Sequence, residues 1–434
     1  MLGERKEFRK TILCTFLLFL IVISISGCSN TEKRSSKKPN TQETAESMEE
    51  TTGLRTVSVL VDLIDNAPAE AITKTLNKVP GFGEEFMYQL EILPPAFSAQ
   101  ERDIAITRVR TEMMAGKGPD LFLCSHKLYG YNAGLDTTLF FKFPTQAMSN
   151  HLLLPLDDYI EKAENIDWDS LQPVVMEAGR NEEGQQIVPL SYTFETTLFD
   201  SSYTPESHFP MTWEQMTEDP DPNIRAASNG YLYNIIGTLV DYSQEVPVFS
   251  EEELLGWVTK QYDTWQTVPE ESRDVLRVWM DQGCLSDPDV NISLSGEEEY
   301  TMIPPYNLSG GVTANITTFA AINRNARYPD EAFRVINYLL DPEVQQTSDI
   351  FKYCMQGLPV YTGTGNSDTP SGGCWQMNEA NYKAITEIQK QINVANFPGP
   401  VDASLWSVLR FDESARKKSV HEKYVLIEML LAES

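Results

Sequence analysis

The stretch ERDIAITRVRTEMMAGKGPDLFLC, residues 101–124, contains a helix, its end and a strand in immediate succession. Its first half places three apolar side chains on one helical face, namely Ile106, Val109 and Met113. Gly116 is positioned to end this helix, because glycine adopts the left-handed backbone conformation without steric cost. Residues 119–124 (PDLFLC) then form a short apolar run, which predicts a strand buried on both faces.

Two further strands precede this stretch. Residues 56–61 (TVSVLV) alternate and then become wholly apolar, and residues 87–93 (MYQLEIL) form a second strand that ends at Pro94 and Pro95. We expect a helix between them. The order strand, helix, strand, helix, strand favours parallel strands with helices on both faces of the sheet. The sequence therefore predicts an α/β fold.

Later segments carry clear helix signals. Residues 212–215 (TWEQ) have the form of a capping box, with threonine at the cap and glutamine three residues on. Residues 329–340 form a strongly amphipathic helix that ends at Asp341 and Pro342. The last helix carries one apolar stripe, made of Val420, Tyr424, Ile427 and Leu431. We expect these stripes, and Trp213, to form core contacts.

The N-terminus has the features of a secretory signal. Four basic residues within the first ten precede a nearly uncharged apolar run over residues 11–26, shorter than the roughly 20 residues of a membrane-spanning helix. Residues 25–28 (ISGC) resemble a bacterial lipobox, in which Cys28 would receive a diacylglyceryl group; an incidental cysteine after an ordinary signal is the alternative. Residues 29–53 are polar, which predicts a flexible tether. We expect residues 1–27 to be the signal peptide, residues 28–53 the lipidated cysteine and tether, and the body to lie on the extracytoplasmic face of the cell membrane.

Charge and cysteine content exclude several classes of protein. The 434 residues contain 34 lysines and arginines against 63 aspartates and glutamates, a formal net charge of −29. This excess argues against nucleic acid or anionic lipid as the main partner, so membrane contact is expected through the lipid anchor only. No Cys-x-x-Cys pair is present to indicate structural zinc. Cys354 and Cys374 could form one disulfide in an oxidising compartment; the sequence leaves this open.

Catalytic and cofactor motifs are missing from the sequence. It contains no phosphate-binding Gly-x-x-x-x-Gly-Lys-Ser/Thr loop and no Gly-x-Ser-x-Gly motif, and its four histidines are dispersed. We therefore expect neither an enzyme nor a bound cofactor. Acidic pairs at Asp157 and Asp158, and at Asp167 and Asp169, leave glycoside hydrolysis as an alternative, because that reaction uses two carboxylates.

One weak metal pattern lies near residue 290. Six residues follow the spacing of a calcium-binding loop, namely Asp287, Asp289, Asn291, Ser293, Ser295 and Glu298. Ile292 occupies the position at which such a loop needs glycine, and Pro288 stiffens the second position. A solvated acidic loop is the preferred interpretation, and calcium is the alternative.

Five stretches together resemble a known family. They are TEMMAGKGPDLF (residues 111–122), LLPLDDY (153–159), QIVPL through FD (186–200), PMTWE (210–214) and YPDEAF through PEVQ (328–345). In this order they are similar to extracellular solute-binding proteins of ATP-driven importers, particularly the sugar and oligosaccharide class.

The resemblance implies the two-lobe fold of periplasmic binding proteins (type II). Each lobe would be a mainly parallel sheet flanked by helices, with a hinge between the lobes and the solute in the cleft. Lobe one would comprise residues 54–190 plus 312–352, and lobe two residues 191–311 plus 353–434. The implied partners are a small polar solute, expected to be a sugar or oligosaccharide, and ABC permease subunits with a separate ATPase. We expect a monomer.

Ligand candidates follow from the ends of the predicted strands, where open α/β sheets bind their ligands. Sugars present an apolar face and a hydroxyl rim, so the candidates combine aromatic, acidic and hydroxyl groups. They are Ser125, His126, Tyr129, Tyr131, Tyr192, Phe194, Glu195, Tyr231, Tyr233, Tyr306, Ser309 and Gly310. Whether Trp257, Trp265 and Trp375 contact ligand is left open.

The expected function is therefore capture of a small polar solute, most simply a carbohydrate, and its delivery to a permease. Two alternatives remain: a lipid-anchored hydrolase acting on glycans, and a sensory binding protein that signals to a membrane kinase.

Overall fold

A computed structural model describes residues 48, 52–63, 69–95, 98–126, 139–163, 166–242, 244–273, 275–279, 298–355, 357–362, 378–405, 408 and 412–432. Several predictions fall outside these residues, namely those for Cys28, Tyr129, Tyr131, Cys374, Trp375 and the calcium-loop positions 287–295. Within the described part, no helix is long and apolar enough to cross a membrane.

The strands are β1 (Arg55–Asp62), β2 (Phe86–Ile92), β3 (Leu121–Ser125), β4 (Arg180–Asn181), β5 (Gly184–Gln185), β6 (Ile187–Thr193), β7 (Glu195–Asp200), β8 (Val240–Asp241), β9 (Val246–Pro247), β10 (Leu276–Trp279), β11 (Tyr300–Ile303), β12 (Val312–Ile322), β13 (Leu358–Pro359) and β14 (Ile392–Asn396). The α-helices are α1 (Ala69–Leu76), α2 (Ala99–Met114), α3 (Pro144–Ser149), α4 (Asp157–Lys162), α5 (Pro173–Glu177), α6 (Trp213–Glu218), α7 (Pro222–Ala227), α8 (Leu232–Ile236), α9 (Glu251–Thr267), α10 (Pro329–Leu339), α11 (Pro342–Thr347), α12 (Asp349–Tyr353), α13 (Glu379–Gln389), α14 (Pro400–Leu405) and α15 (Glu413–Ala432).

Among the described residues, the larger sheet has seven strands, in the order β13-β6-β12-β3-β1-β2, with β14 paired to β12. β1 runs parallel to both β2 and β3, which confirms the strand–helix–strand prediction for the opening third of the chain. The long strand β12 is parallel to β14 but antiparallel to β3 and β6. All eleven residues of β12 are buried, as expected for the centre of a covered sheet.

The second sheet is small and differs from the mainly parallel sheet expected for the second lobe. Its order is β10-β7-β11, and both pairs are antiparallel. Parallel pairing requires a crossover unit in which strand and helix alternate. Between β7 and β10 the described chain instead forms four helices, α6 to α9, and one two-stranded hairpin. Among the described residues, the alternation of strand and helix that predicts parallel pairing is found only in the larger sheet.

The helix-end predictions are confirmed. Helix α2 ends at Met114, and Gly116 has a φ of +72°, in the left-handed region. Helix α6 has a complete capping box. The Thr212 hydroxyl oxygen accepts the backbone N–H of Gln215, and the Gln215 side-chain oxygen accepts the backbone N–H of Thr212. The apolar stripe of α15 is directed inward, because Val420, Ile427 and Leu431 are buried.

The described core divides into two hydrophobic clusters. The larger includes residues of both sheets, from Val57 in β1 to Val278 in β10. The smaller is built mainly by α8, α9, α14 and α15, through residues such as Leu232, Leu254 and Leu405. Trp213 is fully buried and donates its indole N–H to the Ser228 carbonyl over 2.9 Å, which confirms its core assignment.

Two short connections join the sheets. Phe194 alone separates β6 of the larger sheet from β7 of the smaller one, and residues 304–311 join β11 to β12. Phe194 is fully buried, so this junction is packed. Glu195, the first residue of β7, therefore lies directly beside the end of β6.

Candidate functional site

Glu195, the first residue of β7, is a buried carboxylate at the junction of the two sheets. The residue is 2% exposed. One carboxylate oxygen, Oε2, accepts the Tyr231 backbone N–H over 3.0 Å and the Asn234 side-chain amide over 2.9 Å. A Cβ atom at Gly230 would lie 2.6 Å from the Pro305 ring and 3.1 Å from Oε2, so only glycine permits this approach. These hydrogen bonds offset part of the cost of burying the charge.

Three aromatic rings stack beside this carboxylate, and we call Tyr231, Tyr233 and Trp279 the aromatic stack. The Tyr231 ring centroid is 5.6 Å from those of both Tyr233 and Trp279, with interplanar angles of 19° and 20°. The Tyr233 and Trp279 rings are nearly parallel, at 5°. Tyr233 is buried, whereas Tyr231 and Trp279 are half-buried and keep part of their surface accessible.

Trp279 belongs to this site because of strand pairing. It lies directly opposite Glu195 in the antiparallel pair of β10 and β7, so both side chains are on one face of the small sheet. Arg277, two residues earlier, shares that face. Burial lowers the pKa of Arg277 below its ordinary value, and the negative charge of Glu195 opposes that shift.

Trp265 and Trp257, whose role in ligand contact the sequence leaves open, both contact side chains of the protein. The guanidinium groups of Arg273 and Arg277 lie 5.7 and 5.5 Å from the centroid of the Trp265 ring. Trp265 therefore makes cation–π contacts inside the protein. Trp257 packs edge-on against Phe249, with centroids 5.9 Å apart, at the margin of the smaller hydrophobic cluster.

A chain of amide and hydroxyl groups ties the site to the larger sheet. The side-chain oxygen of Asn234 accepts from the Asn315 amide over 2.9 Å, and its backbone carbonyl accepts the Thr313 hydroxyl over 2.7 Å. Asn307 donates to the Thr313 hydroxyl over 3.1 Å and to the Asn393 side chain over 2.7 Å. Helix α8 is thereby fixed to β12 and β14.

The predicted candidates in residues 306–311 form a turn organised by Asn307. Tyr306 is buried, donates its hydroxyl to Gln391 over 2.5 Å and stacks on Phe209 at 5.7 Å. The exposed Ser309 hydroxyl donates to the Asn307 side chain over 2.8 Å. Gly310 has a φ of +81° at the tip of this turn. These three residues lie beside β14 and the start of α6, and a role for them in ligand contact stays a prediction.

Ser125 and His126, the described candidates at the end of β3, are buried. Ser125 pairs with Thr318 of β12, and the His126 backbone N–H donates to the Thr317 carbonyl over 2.8 Å. The imidazole of His126 is 1% exposed, with Nε2 2.9 Å from the Phe141 carbonyl. Burial lowers the pKa of His126 to about 4, so its ring is neutral at pH 7.

Tyr192 and Phe194 are also fully buried. The Tyr192 hydroxyl accepts from the Gln389 side-chain amide over 2.7 Å, and burial raises the pKa of this hydroxyl. The structure thus brings together three of the predicted residues, Glu195, Tyr231 and Tyr233. Sequence reasoning missed Trp279, Arg277 and Asn234. The alternation of residues 276–279 (LRVW) was the available signal, but none of the five family-like stretches includes it.

The described residues give little support for a metal site or a reactive thiol. Among them, no group of three or more histidine, cysteine, aspartate or glutamate side chains could hold a metal ion. Glu298, the last residue of the calcium pattern, accepts the Tyr300 hydroxyl over 2.5 Å. Cys124 and Cys354 are buried free thiols, and burial raises the pKa of Cys354 to about 12.

Comparison with solved structures identifies the fold. An extracellular solute-binding protein of family 1 from Alicyclobacillus acidocaldarius matches with a TM-score of 0.55 and 14% identity, covering 87% of this chain and 98% of the other. The chain has the fold of an extracellular solute-binding protein. An oligogalacturonide-binding protein from Yersinia enterocolitica matches this solute-binding-protein fold at a TM-score of 0.54 and 12% identity, covering 87% and 99% of the two chains.

The sugar-binding protein MalE from Xanthomonas citri is similar at a TM-score of 0.53 and 14% identity, covering 87% and 98% of the two chains. No protein-family model and no curated protein sequence matches the chain. The fold class predicted from the sequence is confirmed, and with it the resemblance to solute-binding proteins.

Proposed function

We propose that this protein is a lipid-anchored, extracytoplasmic solute-binding protein that captures a small polar solute, a carbohydrate, between two lobes and delivers it to an ABC permease. The observation that carries the proposal is the aromatic stack beside the buried carboxylate of Glu195, at the junction between the sheets. The protein itself performs no chemistry on the solute. ATP hydrolysis belongs to a separate subunit.

The chemistry of a sugar ring fits the accessible rings of the stack. A pyranose has an apolar C–H face that packs on an aromatic ring, and a hydroxyl rim that needs hydrogen-bonding partners. Tyr231 and Trp279 are half-buried and nearly parallel, with centroids 5.6 Å apart. Asn234 lies on the same helix as Tyr233, and its buried hydrogen bonds with Asn315 and Thr313 hold that helix against β12.

Fold relatives support a sugar as the solute. Two of the similar structures are described as an oligogalacturonide-binding protein and a sugar-binding protein, and a third binds cyclic maltosyl-maltose in Arthrobacter globiformis, at a TM-score of 0.51 and 14% identity. The same fold implies that the junction between the sheets acts as a hinge. Closure by rotation about Phe194 and the segment 304–311 would change the surface that a permease contacts.

A ligand screen with product analysis tests the proposal. The full chain without its signal would be screened by thermal shift against mono- and oligosaccharides, amino acids, peptides and calcium. We expect saturable stabilisation by one class of saccharide, with the sugar recovered intact. Cleaved sugar would favour the hydrolase alternative, and stabilisation by peptides alone would overturn the carbohydrate assignment. Loss of uptake on gene deletion would separate transport from sensing.

A further inference from the structure

We propose that His126 is a positioning residue that couples two backbone segments linking the two hydrophobic clusters, and thereby sets the affinity for the solute without contacting it. The sequence places His126 among the ligand candidates, but the residue is buried at the end of β3. This inference rests on the proposed function and deepens it, because it concerns the relative orientation of the parts that enclose the solute.

The first segment, residues 139–143, leads from the larger hydrophobic cluster to the smaller one. Phe140 and Phe141 belong to the larger cluster, and Phe143 belongs to the smaller. Arg110 of α2 donates to the Phe140 carbonyl over 2.5 Å. The beginning of this segment is thereby attached to the part of the protein that contains the larger sheet, whereas its end is packed into the smaller cluster.

The second segment, residues 397–401, makes the same passage. Phe397 belongs to the larger cluster and packs edge-on against Phe319 of β12, with ring centroids 5.4 Å apart. Val401 belongs to the smaller cluster. Both segments therefore cross, within five residues, to the cluster that contains Tyr233, the buried ring of the aromatic stack. Their shape affects where the stack lies relative to the larger sheet.

His126 lies between these two segments and contacts both. Its Nε2 is 2.9 Å from the Phe141 carbonyl oxygen of the first segment. Its ring is edge-on to Phe397 of the second segment, with centroids 6.3 Å apart, and its Cε1 would lie 3.9 Å from a Cβ atom at Gly399. The His126 backbone N–H donates to the Thr317 carbonyl of β12, so the residue is anchored to the centre of the larger sheet.

The chemistry of the imidazole distinguishes this role from simple packing. The ring lies among phenylalanines, where an apolar side chain would pack without leaving a polar atom unsatisfied. A carbonyl oxygen only accepts, so Nε2 carries the proton of the neutral ring, and no described residue donates to the buried Nδ1. The Pro398 carbonyl also interacts with the ring, because it opposes the lowering of the His126 pKa by burial. The imidazole thus has a polar contact with each segment.

Coupling of the segments restricts how the two parts of the protein can rotate. Each segment has to bend when the smaller cluster moves relative to the larger sheet, and one ring in contact with both makes them bend together. Loss of the Nε2 donor would let each segment bend separately, so a wider range of orientations would be populated. The orientation that binds the solute would then form a smaller fraction of the population, and the apparent affinity would fall by the same factor.

The distance between the two parts, measured without any sugar, tests this inference. Spin labels would be attached through a non-natural amino acid at the exposed positions 101 of α2 and 422 of α15, and the distance distribution measured by pulsed electron resonance. We expect His126→Phe, which keeps a ring but cannot donate to Phe141, to double the width of the distribution at least. His126→Gln can still donate and should restore the wild-type width. A folded His126→Phe variant with the wild-type width would overturn the inference.

Two further variants separate this coupling from a loss of stability. Val109→Ala removes part of a buried side chain of α2 outside both segments, so it should lower stability without widening the distribution. Phe397→Leu removes the ring of the second segment that His126 contacts, and should widen the distribution even if His126→Phe does not fold. An unchanged width in Phe397→Leu would count against the coupling in the same way.

Affinity measurements connect the coupling to the proposed function. Each saccharide that stabilises the wild type in the thermal-shift screen would be titrated into the wild type, His126→Phe and Val109→Ala. We expect at least fivefold weaker binding to His126→Phe and unchanged binding to Val109→Ala. Unchanged affinity in a widened His126→Phe variant would overturn the claim that the coupling sets affinity. Failure of every saccharide to bind the wild type would remove the proposed function, whereas the sugar-free distances would still decide whether His126 couples the segments.

Discussion

Glu195 and Trp279 are direct cross-strand neighbours, one at the first residue of β7 and the other at the last residue of β10. Because β7 follows β6 after one intervening residue, this pair lies where the chain passes from the larger sheet to the smaller one. A carboxylate and an indole are thereby presented side by side at the junction.

Trp279→Ala should weaken carbohydrate binding. Removing the indole deletes one of the two half-buried rings of the stack, so we expect the affinity for the best saccharide of the screen to fall at least tenfold, about 1.4 kcal/mol. Tyr353→Ala is a matched control, because Tyr353 is 56% exposed and belongs to α12, outside the site. Equal affinities of the two variants, measured by isothermal titration, would contradict a role for the stack.

Glu195→Ala should destabilise the protein more than Glu195→Gln. Alanine leaves the Tyr231 N–H and the Asn234 amide without their acceptor, at a cost of about 3 kcal/mol in the free energy of unfolding. Glutamine retains an acceptor and should lose less than half as much. Urea denaturation monitored by tryptophan fluorescence measures both. If the two variants are equally stable, Glu195 does not hold Tyr231 and Asn234 in place.

Asp402 should make the protein less stable as pH rises. Its carboxyl is 5% exposed and accepts the Gly399 N–H over 2.8 Å, and burial raises its pKa from 3.8 to about 7. Because this pKa is higher in the folded than in the unfolded state, the contribution of Asp402 to the free energy of unfolding is complete below the unfolded pKa. It is lost as pH rises through the folded pKa, by about 4 kcal/mol in all.

The comparison that isolates this effect is wild type against Asp402→Asn. Between pH 4 and pH 8 the free energy of unfolding of the wild type should fall relative to that of the variant, because asparagine can still accept from Gly399 but does not ionise. A difference that is constant with pH would show that Asp402 ionises normally.

The contribution of His126 to stability should depend on pH in the opposite direction. Its pKa is lowered from 6.5 to about 4 by burial, so its contribution is present above pH 6.5 and is lost as pH falls towards 4, by about 3 kcal/mol. His126→Gln, which can still donate to the Phe141 carbonyl, should abolish this loss. Chemical denaturation at pH 4.5 and pH 7 measures this loss of stability. An NMR titration that gives the ring a pKa near 6.5 would contradict the prediction.

Cys28→Ala should abolish lipid attachment. The lipobox prediction requires the Cys28 thiol as the acceptor, so metabolic labelling with a radioactive fatty acid should label the wild type only. Cys124→Ala, at a buried thiol in β3, should leave labelling unchanged in any protein that folds. Labelled Cys28→Ala protein would exclude this anchor.

The sequence predicts the first three strands of the larger sheet well because their signals are local. Apolar runs, Gly116 and the alternation of strand and helix all lie within residues 55–125, and β1, β2 and β3 pair in parallel as expected. The antiparallel small sheet could not be predicted in this way, since β7 pairs with β10 across four intervening helices. Pairing at that sequence separation leaves no periodic signal.

The site was accordingly predicted in part. Glu195, Tyr231 and Tyr233 were among the ligand candidates predicted from the sequence. Trp279 reaches them only through the β7–β10 register. His126 and Tyr192 are aromatic residues near strand ends that the sequence cannot distinguish from ligand contacts, but packing buries both.

The most direct test of the account is isothermal titration of the lipid-free, signal-free chain with the saccharide that stabilises it most, followed by chromatography of the recovered sugar. We predict saturable binding of one solute per chain, with the sugar recovered unchanged. Absence of saturable heat with every saccharide of the screen, or recovery of a cleaved sugar, would contradict the proposal that this protein captures a carbohydrate without transforming it.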